Sequence, residues 1–256
     1  MIIKNLEKFE TEKELFDHLV SNEEEIFAQA KMEMKCSDGI GAYSTPIRSE
    51  FSEKSSTVSD LLQKDSLELK LAINTTNILD SHGDVHINGL WNKSLKENRR
   101  LLHLQEHKRS FDAVISKGSN LKAYTESLTW KSLGFDMEGS TEVLTFDSNV
   151  TKNQNEYMFE QYAKGNVDEH SVGMVYVKMV TCINDEDYPT QKENYDKYSP
   201  MIANKEALEG TKYFWAVLEA KCVEGSSVLM GSNSFTPTQS VKQEIYKSAV
   251  EKWLLQ

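Results

Sequence analysis

A clean alternation of apolar and polar positions begins at residue 66. In SLELKLAIN, Leu67, Leu69, Leu71 and Ile73 share one face, the period-2 pattern of a half-buried strand. Shorter stretches of the same character predict strands at 112–116, 121–130, 142–147, 171–180, 212–221 and 226–230. Helical spacing appears elsewhere. TEKELFDHLVSNEEEIFAQAKMEM repeats Leu15, Phe16, Leu19, Ile26, Phe27 and Ala30 on one helical face, and Thr11 followed by Glu14 reads as a capping box at its start. NGLWNKSLKENRR and NEYMFEQYAKG read as helices between strands, and TPTQSVKQEIYKSAVEKWLL as a C-terminal helix opened by Thr236 and Pro237.

These elements divide the chain. Residues 1–65 read as a helical arm followed by a linker, because CSDGIGAYSTPIRSEFSEKSSTVSD is rich in Ser, Gly and charge without periodicity. A catalytic domain is expected over 66–238, with a polar, acidic, tyrosine-rich insertion at about 182–211, and a terminal helix over 239–256. Many short strands with a few interspersed helices predict an α+β fold whose antiparallel sheet can close into a barrel.

Composition narrows the function classes. With 29 basic and 40 acidic residues the formal charge is −11, and no Lys/Arg cluster stands out. A phosphate backbone would meet net repulsion, so nucleic acid is not an expected partner. No apolar run approaches the ~20 residues that a membrane helix needs. The start, MIIKNLEKFETEKELF, lacks a basic n-region followed by an apolar h-region, so a protein that stays in the cytoplasm where it is made is expected. Cys36, Cys182 and Cys222 lie far apart with no C-x-x-C pair, which predicts buried thiols rather than a disulfide framework or a zinc knuckle.

The histidines, at 18, 82, 86, 103, 107 and 170, limit the choice of general base. His107 follows an apolar stretch and precedes a charged turn, where a ring can be both held and reached. By itself it reads more readily as a surface histidine beside Lys108 and Arg109. Ser171 lies where a polar turn meets an alternating strand, a place that suits a nucleophile but, taken alone, better suits an ordinary strand-opening serine. A different chemistry is spelled by His103, Glu106 and His107, an H-x-x-E-H arrangement that would bind zinc if it lay on a helix with a further acidic ligand downstream. The following FDAVISKGSNLKAYTESLTW reads as strand, which counts against it. His82 and His86 are also four apart, but Gly83 between them marks a turn, and they read as solvated loop residues.

Four segments taken in order, DSHGDVHINGLWNKSL, LLHLQEHKRSFDAVISKG, GNVDEHSVGMVYVK and VEGSSVLMGSNSFTPT, resemble the successive signature segments of tailed-phage prohead proteases. Asp80, Gly83, Asp84 and Gly89 match the first pattern and His107 the catalytic histidine of the second. Ser171, Val172 and Gly173 match the catalytic serine strand, with Met174 where an aromatic is commoner. Glu224, Ser226, Val228, Gly231 and Asn233 match the fourth, with Ser232 replacing the usual Ala. The likeness spans about 66–238. It implies a fold like that of the herpesvirus assemblins, an antiparallel barrel flanked by helices. It also implies cleavage of scaffold and major capsid protein segments inside a procapsid in the host cytoplasm, with no cofactor or metal. In that reading Ser171 is the nucleophile, His107 the base and Glu224 the third member. Glu219 is its rival, five residues away and hence on the opposite face of an unbroken strand, and His170 is a third alternative. A homo-oligomer is an admissible state. The non-enzymatic alternative is a catalytically silent capsid-assembly or scaffold protein of the same fold, suggested by the acidic N-terminal helix, the insertion and Met174, and opposed by intact Ser171 and His107.

Overall fold

The alternating segment at residue 66 forms the strand β1 (Ser66–Thr75), with Leu67, Leu69, Leu71 and Ile73 buried. A computed structural model describes residues 9–32, 58–97, 100–210 and 212–242. The arm contains α1 (Glu12–Ser21) and α2 (Glu23–Met32), broken at Asn22 where a single helix over 12–34 is expected, and the short α3 (Val58–Leu62) follows. Thr11 caps α1, its hydroxyl accepting the Glu14 N–H at 3.2 Å. Phe16 and Leu19 anchor the arm to the core, Phe16 edge-on to Tyr188 and Tyr213.

Beyond β1 come β2 (Asp84–His86), α4 (Asn92–Glu97), β3 (Leu102–Gln105), β4 (Val114–Lys117), β5 (Leu121–Thr129) and β6 (Ser140–Thr151). They are followed by α5 (Lys152–Ala163), β7 (Glu169–Ile183), α6 (Pro189–Tyr198), β8 (Tyr213–Val228) and β9 (Thr238–Lys242). One sheet has the order β5-β6-β1-β9 and is antiparallel throughout. In the other, β8 pairs antiparallel with β7 along one edge, while its second edge is shared by β2 and β3, both parallel to it. β3 then pairs antiparallel with β4.

The chain is therefore α+β, but the expected antiparallel barrel is corrected to two sheets that do not close, the second of them mixed. They are joined where His170 N–H donates to Thr236 O (3.1 Å) and Ala72 N–H to Pro237 O (3.1 Å). On the opposite side no ladder connects β4 to β5 among the described residues. Two further expectations change. The strands predicted at 212–221 and 226–230 are one strand, β8, and the start of the predicted C-terminal helix is β9, laid along the edge of β1. Residues 243–256 of that helix, and Cys36, lie outside the described residues.

The core fills the space between the sheets, with Leu71, Ile73, Phe146, Phe159 and Trp215 in one cluster. Burying each such side chain contributes about 1.5–3 kcal/mol. Gly225 shows how closely the sheets approach: a Cβ there would lie 2.7 Å from the Phe146 ring and 2.9 Å from Ile73. The 182–211 segment connects β7 to β8 and has a satellite core, Tyr198, Ile202 and Ala207 against Phe214 and Leu79. Cys182 and Cys222 are buried thiols, and desolvation pushes Cys182 up to about 12.

One buried layer is polar. Asn74 donates to His86 Nδ1 (2.8 Å) and accepts from Trp91 Nε1 (3.2 Å), leaving His86 Nε2–H to face the Tyr176 hydroxyl (3.4 Å), which in turn donates to Asp84 (2.5 Å). Thus His86, expected in a solvated loop, is a buried strand residue. Burial first, and repulsion from His82 second, lower its pKa from 6.5 to about 4. The unfolded chain takes up this proton below pH 6.5 and the folded chain does not, so stability is full above 6.5 and falls between 6.5 and 4. The loss attributable to His86 is about 3 kcal/mol by pH 4. Urea unfolding at pH 7.5 and pH 4.5 should show a smaller acid loss for His86→Gln than for the wild type, whatever the variant costs at neutral pH. Parallel pH dependences would refute the assignment.

Candidate active site

β8 carries the centre of the site on one face. Glu224 and Ser226 are two residues apart and so point the same way. Ser171 of β7 is directly opposite Ser226, and Gly173 opposite Glu224; directly opposed residues of an antiparallel pair share a face. Gly173 is glycine for a steric reason, since a Cβ there would overlap the Glu224 carboxylate.

The imidazole arrives across the other edge of β8. β3 runs parallel to β8 with Gln105 beside Ser227, and Glu106 N–H donates to Ser227 O (2.9 Å). The chain then turns back with Glu106 at φ 49 and His107 at φ 55, closed by Lys108 N–H donating to Gln105 O (2.9 Å). Two successive left-handed residues are the signature of a type I′ turn, which Asn and Gly adopt with least strain. Here Glu and His occupy it, and the turn sets His107 back over β8.

Three hydrogen bonds hold the ring and its carboxylate. His107 N–H donates to Ser226 Oγ (3.1 Å), Ser226 Oγ–H donates to Glu224 Oε2 (2.7 Å), and His107 Nδ1–H donates to Glu224 Oε1 (2.6 Å). The side chains of His107 and Glu224 are 10% and 2% exposed, so solvent screens this pair weakly. With Nδ1 donating to a carboxylate, neutral His107 carries its lone pair on Nε2, the arrangement a general base needs.

Ser171 is 7% exposed, and its hydroxyl makes no hydrogen bond among the described residues, His107 included. It is one strand away from His107, across Ser226. A narrow crevice, with room for little more than a water molecule, is lined by Ser171 together with Asn74, Asp80, His82, Ser232 and Asn233.

The other sequence candidates fall elsewhere. Glu219 pairs with Lys93 at 3.3 Å on the surface. His170 points to the opposite face, its Nδ1 on Thr236 O (3.0 Å) and its Nε2 on the Tyr162 hydroxyl (3.0 Å). His103 lies on strand β3, wholly buried, with its ring nitrogens on Ser148 (2.9 Å) and Ser227 (3.0 Å); burial, then His170, keep its pKa well below 6.5. The H-x-x-E-H reading is thereby corrected: residues 103–107 form a strand and a left-handed turn, and no helix brings His103 and His107 together. Donor atoms of Asp80, His82 and Asp84 do lie within 4.8 Å of one another. Asp80 already closes that turn, accepting the N–H of His82 (2.8 Å) and of Asp84 (3.0 Å).

The sequence pattern named Ser226 without giving it work. Its signal was the E-x-S spacing on a strand, which places carboxylate and hydroxyl on one face. Against known proteins, no family model, no curated protein and no solved structure matches this chain.

Proposed function

We propose that this chain is a serine endopeptidase of the prohead-protease type, cleaving scaffold and major capsid protein segments inside a phage procapsid in the host cytoplasm, on an assemblin-like catalytic domain. The observation that carries the reading is the His107–Glu224 pair, locked by Ser226 on the same face of the sheet as Ser171. The prohead substrate class comes from the four ordered motifs.

The chemistry needs no metal or cofactor. Ser171 Oγ adds to the scissile carbonyl carbon, the C=O π pair moves onto oxygen, and the Oγ proton passes to His107 Nε2. Glu224 stabilises the imidazolium through Nδ1–H. Collapse of the adduct expels the amine, which takes the proton from Nε2, and water hydrolyses the acyl-serine by the same steps. Ser171 and His107 must close their gap first, and such hydrogen bonds often tighten only in the substrate complex.

The missing Ser171–His107 hydrogen bond is also what a catalytically silent assembly protein of this fold would display, and one experiment separates the two. Co-expressed with its capsid and scaffold proteins, the wild type should process them and Ser171→Ala should not, with unchanged circular dichroism. A fluorophosphonate should label the wild type at Ser171 alone. Undiminished processing by Ser171→Ala defeats the assignment of the nucleophile. Absence of both processing and labelling in folded wild type supports the silent protein.

A further inference from the structure

Glu169 opens β7 two residues before Ser171, so the two side chains project from one face with about 7 Å of strand between them. Its half-buried carboxylate accepts the backbone N–H of Gly231 at 2.8 Å. Gly231 lies in the loop that leaves β8 after Val228 and crosses back to the strand of the nucleophile. Its Cα comes so near β7 that a Cβ would lie 3.1 Å from His170 O. The next two residues, Ser232 and Asn233, line the crevice with Ser171.

The loop is pinned. Asn233 Nδ2 donates to Thr75 O (2.9 Å), Ser81 N–H to Ser232 O (3.4 Å), and the Thr236 hydroxyl is within reach of both His170 O (2.5 Å) and Asn233 O (3.0 Å). A fixed N–H in a loop whose next two residues line the crevice of Ser171 is a preorganised donor, which oxyanion stabilisation requires. In the resting protein that donor is spent on a carboxylate oxygen.

We propose that the Gly231 N–H is an oxyanion donor for acyl transfer at Ser171, and that Glu169 occupies it in the resting protein as an internal stand-in for the oxyanion. The inference rests on the serine-peptidase reading above. As Ser171 Oγ adds to the carbonyl carbon and its proton moves to His107, the electron pair gathering on the carbonyl oxygen takes over the N–H that Glu169 releases. Burial raises the pKa of the Glu169 carboxyl, the Gly231 N–H partly opposes this, and Asp168 adds repulsion. Glu169 is only half-buried and can turn out to solvent, so the peptidase is held below its full activity until a substrate carbonyl takes over the donor.

The test uses the full chain and a fluorophosphonate, with labelling of Ser171 followed by intact mass. Glu169→Ala vacates the donor and should be labelled roughly tenfold faster than the wild type, with Glu169→Gln, a neutral acceptor, in between. The Gly231 amide proton of a ¹⁵N-labelled sample should move upfield in Glu169→Ala and downfield again when Ser171 carries the phosphonyl group. A loop that merely loosened would not give that return. Equal or slower labelling of Glu169→Ala, or a Gly231 amide indifferent to phosphonylation, overturns the proposal and leaves the serine-peptidase reading in place. Failure of every folded form to label at Ser171 removes that reading and this proposal with it.

Discussion

Glu224→Gln is expected to slow acylation of Ser171 by roughly 10⁴-fold while the protein stays folded. The size of the effect follows from a tautomer. Ser226 Oγ–H donates to Glu224 Oε2, so a glutamine in that position keeps its carbonyl oxygen toward Ser226. Its NH₂ then faces His107 Nδ1, which in the native protein donates to Oε1 at 2.6 Å. Two donors cannot meet, and the ring moves its proton to Nε2, the atom that in the proposed mechanism receives the proton of Ser171. Imidazole ¹⁵N shifts would report the switch without any substrate. Glu219→Gln, which alters only a surface pair with Lys93, should acylate at the wild-type rate because exposed pairs are worth little. Equal rates for the two variants would remove Glu224 from the mechanism.

Gly173→Ala is the second large effect. The added methyl occupies space now filled by the Glu224 carboxylate. Either the carboxylate swings away, giving up its bonds to His107 and Ser226, or β7 and β8 separate. Both leave a buried charge poorly paired, at a cost of about 3 kcal/mol in urea unfolding, with acylation lost as well. The clash is specific, so a double-mutant cycle exposes it: in a Glu224→Ala background the same change should cost less than about 1 kcal/mol. Additive costs would mean that Gly173 serves the backbone and not the carboxylate.

The strands with simple alternation were legible because their pattern is local. Leu67, Leu69, Leu71 and Ile73 announce β1, and the residues that flank Ser171 announce β7. Parity along a strand was legible too: His170 and Ser171 must face opposite ways, and they do. The errors came where a local signal served a distant purpose. Strands at 212–221 and 226–230 read as two, yet Gly225 between them lies within one strand and is small because Phe146 and Ile73 press on it from the other sheet. Thr238–Lys242 reads as the start of a helix, but the open edge of β1 supplies ladder hydrogen bonds, which outweigh a weak helical preference. Parallel pairing of β2 and β3 with β8, which replaces the expected antiparallel barrel, depends on chain crossovers that no spacing records.

Opposition across β7 and β8 alone made Gly173 intelligible, and the left-handed turn at Glu106 and His107, which delivers the ring to Glu224, was invisible in a segment that spells H-x-x-E-H as readily as anything else. By itself, then, the sequence determined which side chains exist to do chemistry and, by strand parity, which of them can share a face. Tertiary structure decided which acid meets the imidazole, since two carboxylates of like chemistry differ only in what the fold sets beside them: Lys93 at the surface for Glu219, and for Glu224 a buried histidine with a serine to hold it in place.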